Sequence, residues 1–232
     1  MKFAPFVDSL GGEGAEAWAI LTESRAAQER GEDVIILSIG DPDFETPALV
    51  VDAAVEALRA GDTHYTELEG RSSLRSAIAE KMSLTSGVEI GPDRVTVLAG
   101  AQNAFYSTCR CLFGQGDEVV VLDPAYVTYQ ACIASTGATQ VRVQQPARSG
   151  FRPDIDQLEA SITSATRGIV FANPSNPTGV TLNSNELNAI ADIAIRNDLW
   201  ILVDEVYNDL VFDGVYQSIA GLPGMLERTV TV

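Results

Sequence analysis

From residue 94 onward, short apolar runs rich in β-branched residues alternate with amphipathic stretches, and this alternation constrains the fold more than any other feature of the chain. RVTVLAG precedes AQNAFYSTCRCLF, EVVVLD precedes a stretch around TYQACIASTG, QVRVQ precedes DIDQLEASI, GIVFAN precedes NSNELNAIADIAIRND, and WILVDE and RTVTV follow. Runs that stay apolar along their length predict strands buried on both faces. Strands separated by single helices predict an α/β fold, a mainly parallel sheet sandwiched by helices. Upstream, the segment up to about residue 31 predicts a helix with a glycine stop, and residues 34–40 (VIILSIG) predict a short strand. ALVVDAAVEALRAG and GRSSLRSAIAEKMSLTSG predict two more helices, each closed by glycine.

In a sheet of this kind, ligands lie beyond the carboxyl ends of the strands. The residues at those ends are Gly100, Ala101 and Gln102, then Asp123 through Tyr126, then residues 173–179, then Asp204 through Tyr207. The third set, NPSNPTG, places Asn173-Pro174 and Asn176-Pro177 in a stiff, extended loop, because proline fixes its own φ and biases the residue before it away from the helical region. Such a loop can hold an amide at a fixed point. Asp204 follows the apolar run WILV, so its carboxylate sits at an apolar rim where a partner is required. A ring nitrogen carrying a proton would serve.

The turn before AQNAF presents free N–H groups and a positive dipole end, which suits a single phosphate. It matches neither G-x-G-x-x-G nor G-x-x-x-x-G-K-[ST], which argues against a dinucleotide or nucleoside triphosphate. Tyr126 offers an aromatic face, and Tyr207 and Asn176 offer polar donors. Phosphate, cationic ring nitrogen, hydroxyl partners and a stacking surface together describe pyridoxal 5'-phosphate, an electron sink for carbanion chemistry.

Composition narrows the partners. Acidic residues outnumber basic ones 32 to 15, a net charge of −17, and there is no Lys/Arg run, so nucleic acid is a poor partner. Hydrophobic content of 46% suits a globular core. No apolar run approaches membrane-spanning length, and Asp8 interrupts the apolar part of MKFAPFVDSL, so neither a membrane partner nor a signal peptide is expected. Cys109, Cys111 and Cys132 are an odd set, expected as reduced thiols in a cytoplasmic setting. Cys109 and Cys111, two apart in a helix, point to different faces and read as packing residues rather than metal ligands. His64 is the single histidine and reads as a polar loop residue; no metal site is expected.

IGDPDFETP, HYTELEG, LAGAQNAF, DPAYVTY, NPSNPTG and VDEVYNDLVF, in this order and spacing, resemble the class I/II aminotransferases of the fold-type-I pyridoxal-phosphate enzymes. The resemblance runs from about residue 34 to the last residue. It implies that Ala101 and Gln102 hold the phosphate, Tyr126 stacks on the pyridine ring, Asn176 and Tyr207 bond the ring's phenolic oxygen, and Asp204 pairs with the ring nitrogen. It further implies that Gly40 lies against the substrate carboxylate beside Asn176, and that Tyr65 reaches the phosphate of a neighbouring subunit in a homodimer. Tyr65 is therefore expected to be exposed and far from its own Ala101–Gln102 turn. A cis peptide is expected at Asn176–Pro177. Residues 1–40 are expected to contribute to a small domain and 41–232 to form a large pyridoxal-phosphate-binding domain, incomplete at its C-terminus.

One departure stands out. Family members carry the cofactor on a lysine in a Ser-x-x-Lys-like stretch after a strand that RTVTV resembles, and the lysines here are Lys2 and Lys81, both far upstream. The chain therefore reads as an N-terminal portion holding the cofactor cradle without a catalytic residue, and exposed apolar surface is expected. Its full-length form would move an amino group between an amino acid and a 2-oxo acid. Another chemistry on the same cradle, a C–S lyase or a synthase, and an inert cofactor-binding fragment are the alternatives. Phe6, Val7 and Leu10 are candidates for an apolar specificity pocket or for packing.

Overall fold

The computed structural model describes every residue except 1, 4–6, 9 and 12, and the backbone alone of 13–15. Phe6 lies outside the described residues. The element order is α1 (Glu13–Glu29), α2 (Ala48–Arg59), α3 (Ser72–Ser86), α4 (Ala101–Leu112), β1 (Glu118–Asp123), α5 (Tyr129–Ala134), β2 (Thr139–Gln144), α6 (Ile155–Ala160), β3 (Thr166–Ala172), α7 (Ser184–Arg196), β4 (Trp200–Asp204) and β5 (Thr229–Thr231). The strands form one five-stranded sheet in the order β2-β1-β3-β4-β5. Every pairing is parallel.

Both faces of this sheet are covered, which is why its strands are apolar along their length. Val120, Leu122, Ile169, Phe171, Ile201 and Val203 point into one core with α6 and α7. Val119, Val121, Val170 and Leu202 point the other way, against Phe105, Cys109, Tyr129 and Ile133 of α4 and α5. The period of two along each strand divides the two cores. α7 begins on a capping box, with the Asn183 side chain accepting from Asn185 and Glu186 and Glu186 accepting from the Asn183 N–H.

Two expected strands are absent. Residues 34–40 and 94–100 form no sheet pairs. A strand exists only where a neighbour accepts and donates its backbone hydrogen bonds. In 94–100 the Val97 N–H goes instead to the Glu69 carbonyl, and in 34–40 Ile35 and Leu37 stand almost wholly exposed. The apolar signal in both runs was real, but among the described residues no strand pairs with them.

The three cysteines are free; Cys132 is buried, and the packing role holds for Cys109, which is buried too. It fails for Cys111, which is exposed: the two-residue step that buries Cys109 turns Cys111 outward on α4. Exposed apolar surface is extensive. α2 has no buried residue, and Phe44, Leu49, Leu68, Phe212 and Val215 are each more than four-fifths exposed. No helix among the described residues is long and apolar enough to cross a membrane.

Candidate active site

The sheet's topology places a crevice where β1 has neighbours reached in opposite directions, β2 on one side and β3 on the other. Chain segments leaving such a switch point diverge and leave room for a ligand. A cavity of about 190 Å³ opens there, lined by Ala101, Gln102, Phe105, Tyr126, Thr128, Tyr129, Ala172, Asn176, Asp204, Val206 and Tyr207. Six of the residues singled out in the sequence meet in it: Ala101, Gln102, Tyr126, Asn176, Asp204 and Tyr207. Tyr65 does not, and its side chain is fully exposed.

Each wall follows from local structure. Gly100 takes φ of 86°, a region that favours glycine, and turns the chain into α4 with no side chain capping the helix start. The first-turn N–H groups of Ala101 and Gln102 thus lack a side-chain acceptor at the positive end of a twelve-residue helix. The bonds Asp123–Pro124, Asn173–Pro174 and Asn176–Pro177 are all cis, the last as expected. The loop after β3 carries Asn176, whose Nδ2 donates to the Tyr207 hydroxyl at 3.4 Å. One amide and one phenol from segments thirty-one residues apart therefore converge on one point.

Asp204 ends β4 and accepts two hydrogen bonds from neutral donors, the Tyr129 hydroxyl at 2.7 Å and the Val206 N–H at 3.1 Å. Tyr129 is the residue that sequence reasoning overlooked. It is 2% exposed, stacks on Phe105 with ring centroids 4.2 Å apart and meets the edge of Tyr126 at 5.9 Å. Burial, then the nearby Asp204 charge and the hydrogen bond to it, push the Tyr129 phenol far above its ordinary pKa, so it remains a proton donor to Asp204. A signal was available: a tyrosine inside the apolar helix YQACIA needs a partner for its hydroxyl. Burial, and then the charges of Tyr207 and Asp204, raise Tyr126 too.

A larger cleft of about 760 Å³ adjoins the first, sharing Tyr126, Asn176 and Tyr207 with it. Its other walls are Trp18 and Leu21 of α1, Ser38, Ile39 and Gly40, Val127, the loop from Pro174 to Gly179, and Leu210 and Phe212. Gly40 thus lies where Asn176 also faces. Val7 and Leu10 are not among the residues lining it.

Comparison with known proteins agrees with this geometry. The profile of the family Aminotransferase class I and II matches residues 32–232. The chain belongs to the class I and II aminotransferases. It is 43% identical over its whole length to the arginine–pyruvate transaminase AruH of Pseudomonas aeruginosa, covering 59% of that protein. It is 40% identical over 203 residues to an aspartate aminotransferase of Pyrococcus abyssi, covering 87% of this chain and 52% of that one. Its fold superposes on the aspartate aminotransferase of Thermus thermophilus with maleate at a TM-score of 0.94 and 30% identity, covering all of this chain and 59% of the other. The chain thus spans little more than half the length of the aminotransferases it matches. Members of this family depend on pyridoxal phosphate.

Proposed function

We propose that this chain forms the cofactor cradle of an aminotransferase that moves an amino group between an amino acid and a 2-oxo acid with pyridoxal 5'-phosphate. The observation that carries the reading is the meeting of Ala101, Gln102, Tyr126, Asn176, Asp204 and Tyr207 around one cavity. Its donor set fits the cofactor group by group. The uncapped first turn of α4 suits a phosphate, the Asp204 carboxylate suits a protonated ring nitrogen, and the Asn176 and Tyr207 donors suit a phenolic oxygen.

When bound, the cofactor supplies an electron sink for the pair left as a substrate Cα–H bond breaks. The chain's own residues would orient it and tune it. Tyr126 would hold the ring face, and Asp204 would keep positive charge at the ring nitrogen. The Tyr129 hydroxyl and the Val206 N–H fix the direction of that carboxylate. Asn176 and Gly40 would receive the substrate carboxylate in the adjoining cleft. Among the described residues that line that cleft none is charged.

The same reading assigns residues 1–40 to a small domain and 41–232 to the large domain, in a homodimer. The exposed Tyr65 would complete the neighbour's phosphate site, and the exposed apolar faces of α2 and residues 206–215 would be covered. A cytoplasmic setting agrees with three unpaired cysteines. The test is a titration of the 232-residue chain with pyridoxal phosphate, followed by absorbance and by equilibrium dialysis. Saturable one-to-one uptake that inorganic phosphate competes away is expected. Uptake that never saturates would count against the cradle.

A further inference from the structure

Glu205 follows Asp204, and the period of two along β4 sends its side chain to the opposite face, away from the cavity and into the protein. There it is 3% exposed, an unusual place for a carboxyl group. Its Oε1 accepts from the Ser218 hydroxyl at 2.7 Å. The Tyr216 hydroxyl lies close enough to Glu205 to perturb it, yet neither that hydroxyl nor Oε2 of Glu205 has a hydrogen bond of good geometry. Burial, and then the neighbouring Asp204 charge, move the Glu205 carboxyl above the usual range, while the Ser218 and Tyr216 hydroxyls pull the other way. The net direction favours the protonated acid.

The same pocket of polar groups reaches the loop that faces the cofactor. Asn173, 1% exposed, donates its N–H to the Asp204 carbonyl at 2.9 Å and its Nδ2 to the Gln217 carbonyl at 3.4 Å. Its Oδ1 accepts from the Leu182 N–H at 2.9 Å. Three segments are thus tied in one buried knot: the end of β4, residues 216–218, and both ends of the loop that carries Asn176. On the other side of this knot, Asn176 and Tyr207 meet.

Resting on the cradle reading above, we infer that Glu205 is a positioning residue for the cofactor, acting through the Asn173–Leu182 loop to hold Asn176 in register with Tyr207 and Asp204. The hydrogen bonds of a buried polar network hold one geometry, and cutting one leaves an unpaired polar group that the surroundings relax to satisfy. Here the network ties both ends of the loop, and Asn176 is the loop's member at the cavity.

The experiment measures pyridoxal phosphate affinity and thermal stability of the 232-residue chain for Glu205→Ala, Glu205→Gln, Ser218→Ala, Asn176→Ala and the Glu205→Ala/Asn176→Ala double variant. Glu205→Ala should weaken binding about tenfold at a temperature where it is folded, because coupled neighbours interact on that scale. Glu205→Gln, a neutral isostere that can still accept from Ser218, should restore it to within about twofold. In the Asn176→Ala background, Glu205→Ala should have no further effect on affinity. Should Glu205→Ala not fold, Ser218→Ala carries the same comparison with Asn176→Ala. A lower melting temperature with unchanged affinity, or an affinity loss that persists without Asn176, overturns the positioning role and leaves the cradle intact. Failure of the unsubstituted chain to bind saturably strikes the cradle reading itself.

Discussion

Asp204→Asn should weaken pyridoxal phosphate binding to this chain by about 10- to 100-fold while leaving the fold nearly as stable. Hydrogen bonds to charged groups contribute roughly 1.5–3 kcal/mol, and each 1.4 kcal/mol is tenfold in affinity. Asparagine keeps one oxygen for the Val206 N–H and turns its Nδ2 to the Tyr129 hydroxyl, which can accept from it, but removes the charge that the ring nitrogen would meet. Asp204→Ala removes both. It should show the same loss of affinity together with about 1–3 kcal/mol of stability, because the buried Tyr129 hydroxyl is then left without its acceptor. Dialysis against the cofactor and urea unfolding separate the two effects. Equal affinity in both variants and the parent would remove Asp204 from the site.

How much of this was legible in the sequence depends on the kind of signal. EVVVLD, GIVFA and WILVD read correctly as parallel strands because burial on both faces leaves a run apolar throughout, and the residues just past them converge because parallel strands end on one side of a sheet. Residues 34–40 and 94–100 carried the same composition and form no strand, because composition reports that a segment suits pairing, not that a partner is present. Asp204, Asn176 and Tyr207 were visible through position. For Tyr129 the apolar helix signalled only that its hydroxyl needs a partner, because the partner is a side chain seventy-five residues away. Glu205 escaped notice for a related reason: beside Asp204 it looks like a second acid at the rim, and only the period of two along a strand, applied one residue past its end, turns it into the core. Cys111 was misread because one packing role was assigned to two residues on different sides of a helix.

The second large effect concerns covalent chemistry. The 232-residue chain should give no stoichiometric cofactor adduct that survives borohydride reduction, and its transamination should fall at least about 10²- to 10⁴-fold below that of a lysine-bearing member of the family, the range that a positioned acid–base group contributes. A lysine amine is needed to carry the cofactor and to move the proton at the substrate Cα. Lys81 lies on α3, paired with Asp209, with more than half of its side chain exposed, and it lines neither cavity. Lys2 is exposed in the N-terminal segment. Mass spectrometry after reduction reads the outcome. A single adduct on Lys81, accompanied by transfer of an amino group to a keto acid, would mean that α3 approaches the cradle in a way this structure does not have.

On the cradle reading, one cavity at the strand ends would receive the cofactor in one orientation. A crystal structure of the chain grown with pyridoxal phosphate tests it most directly. The phosphate is expected on the first-turn N–H groups of Ala101 and Gln102, the ring against Tyr126, its phenolic oxygen at Asn176 and Tyr207, and its nitrogen at Asp204. A cofactor bound elsewhere, or seated in the cavity with its ring nitrogen turned away while Asp204 keeps only Tyr129 and the Val206 N–H, would contradict it.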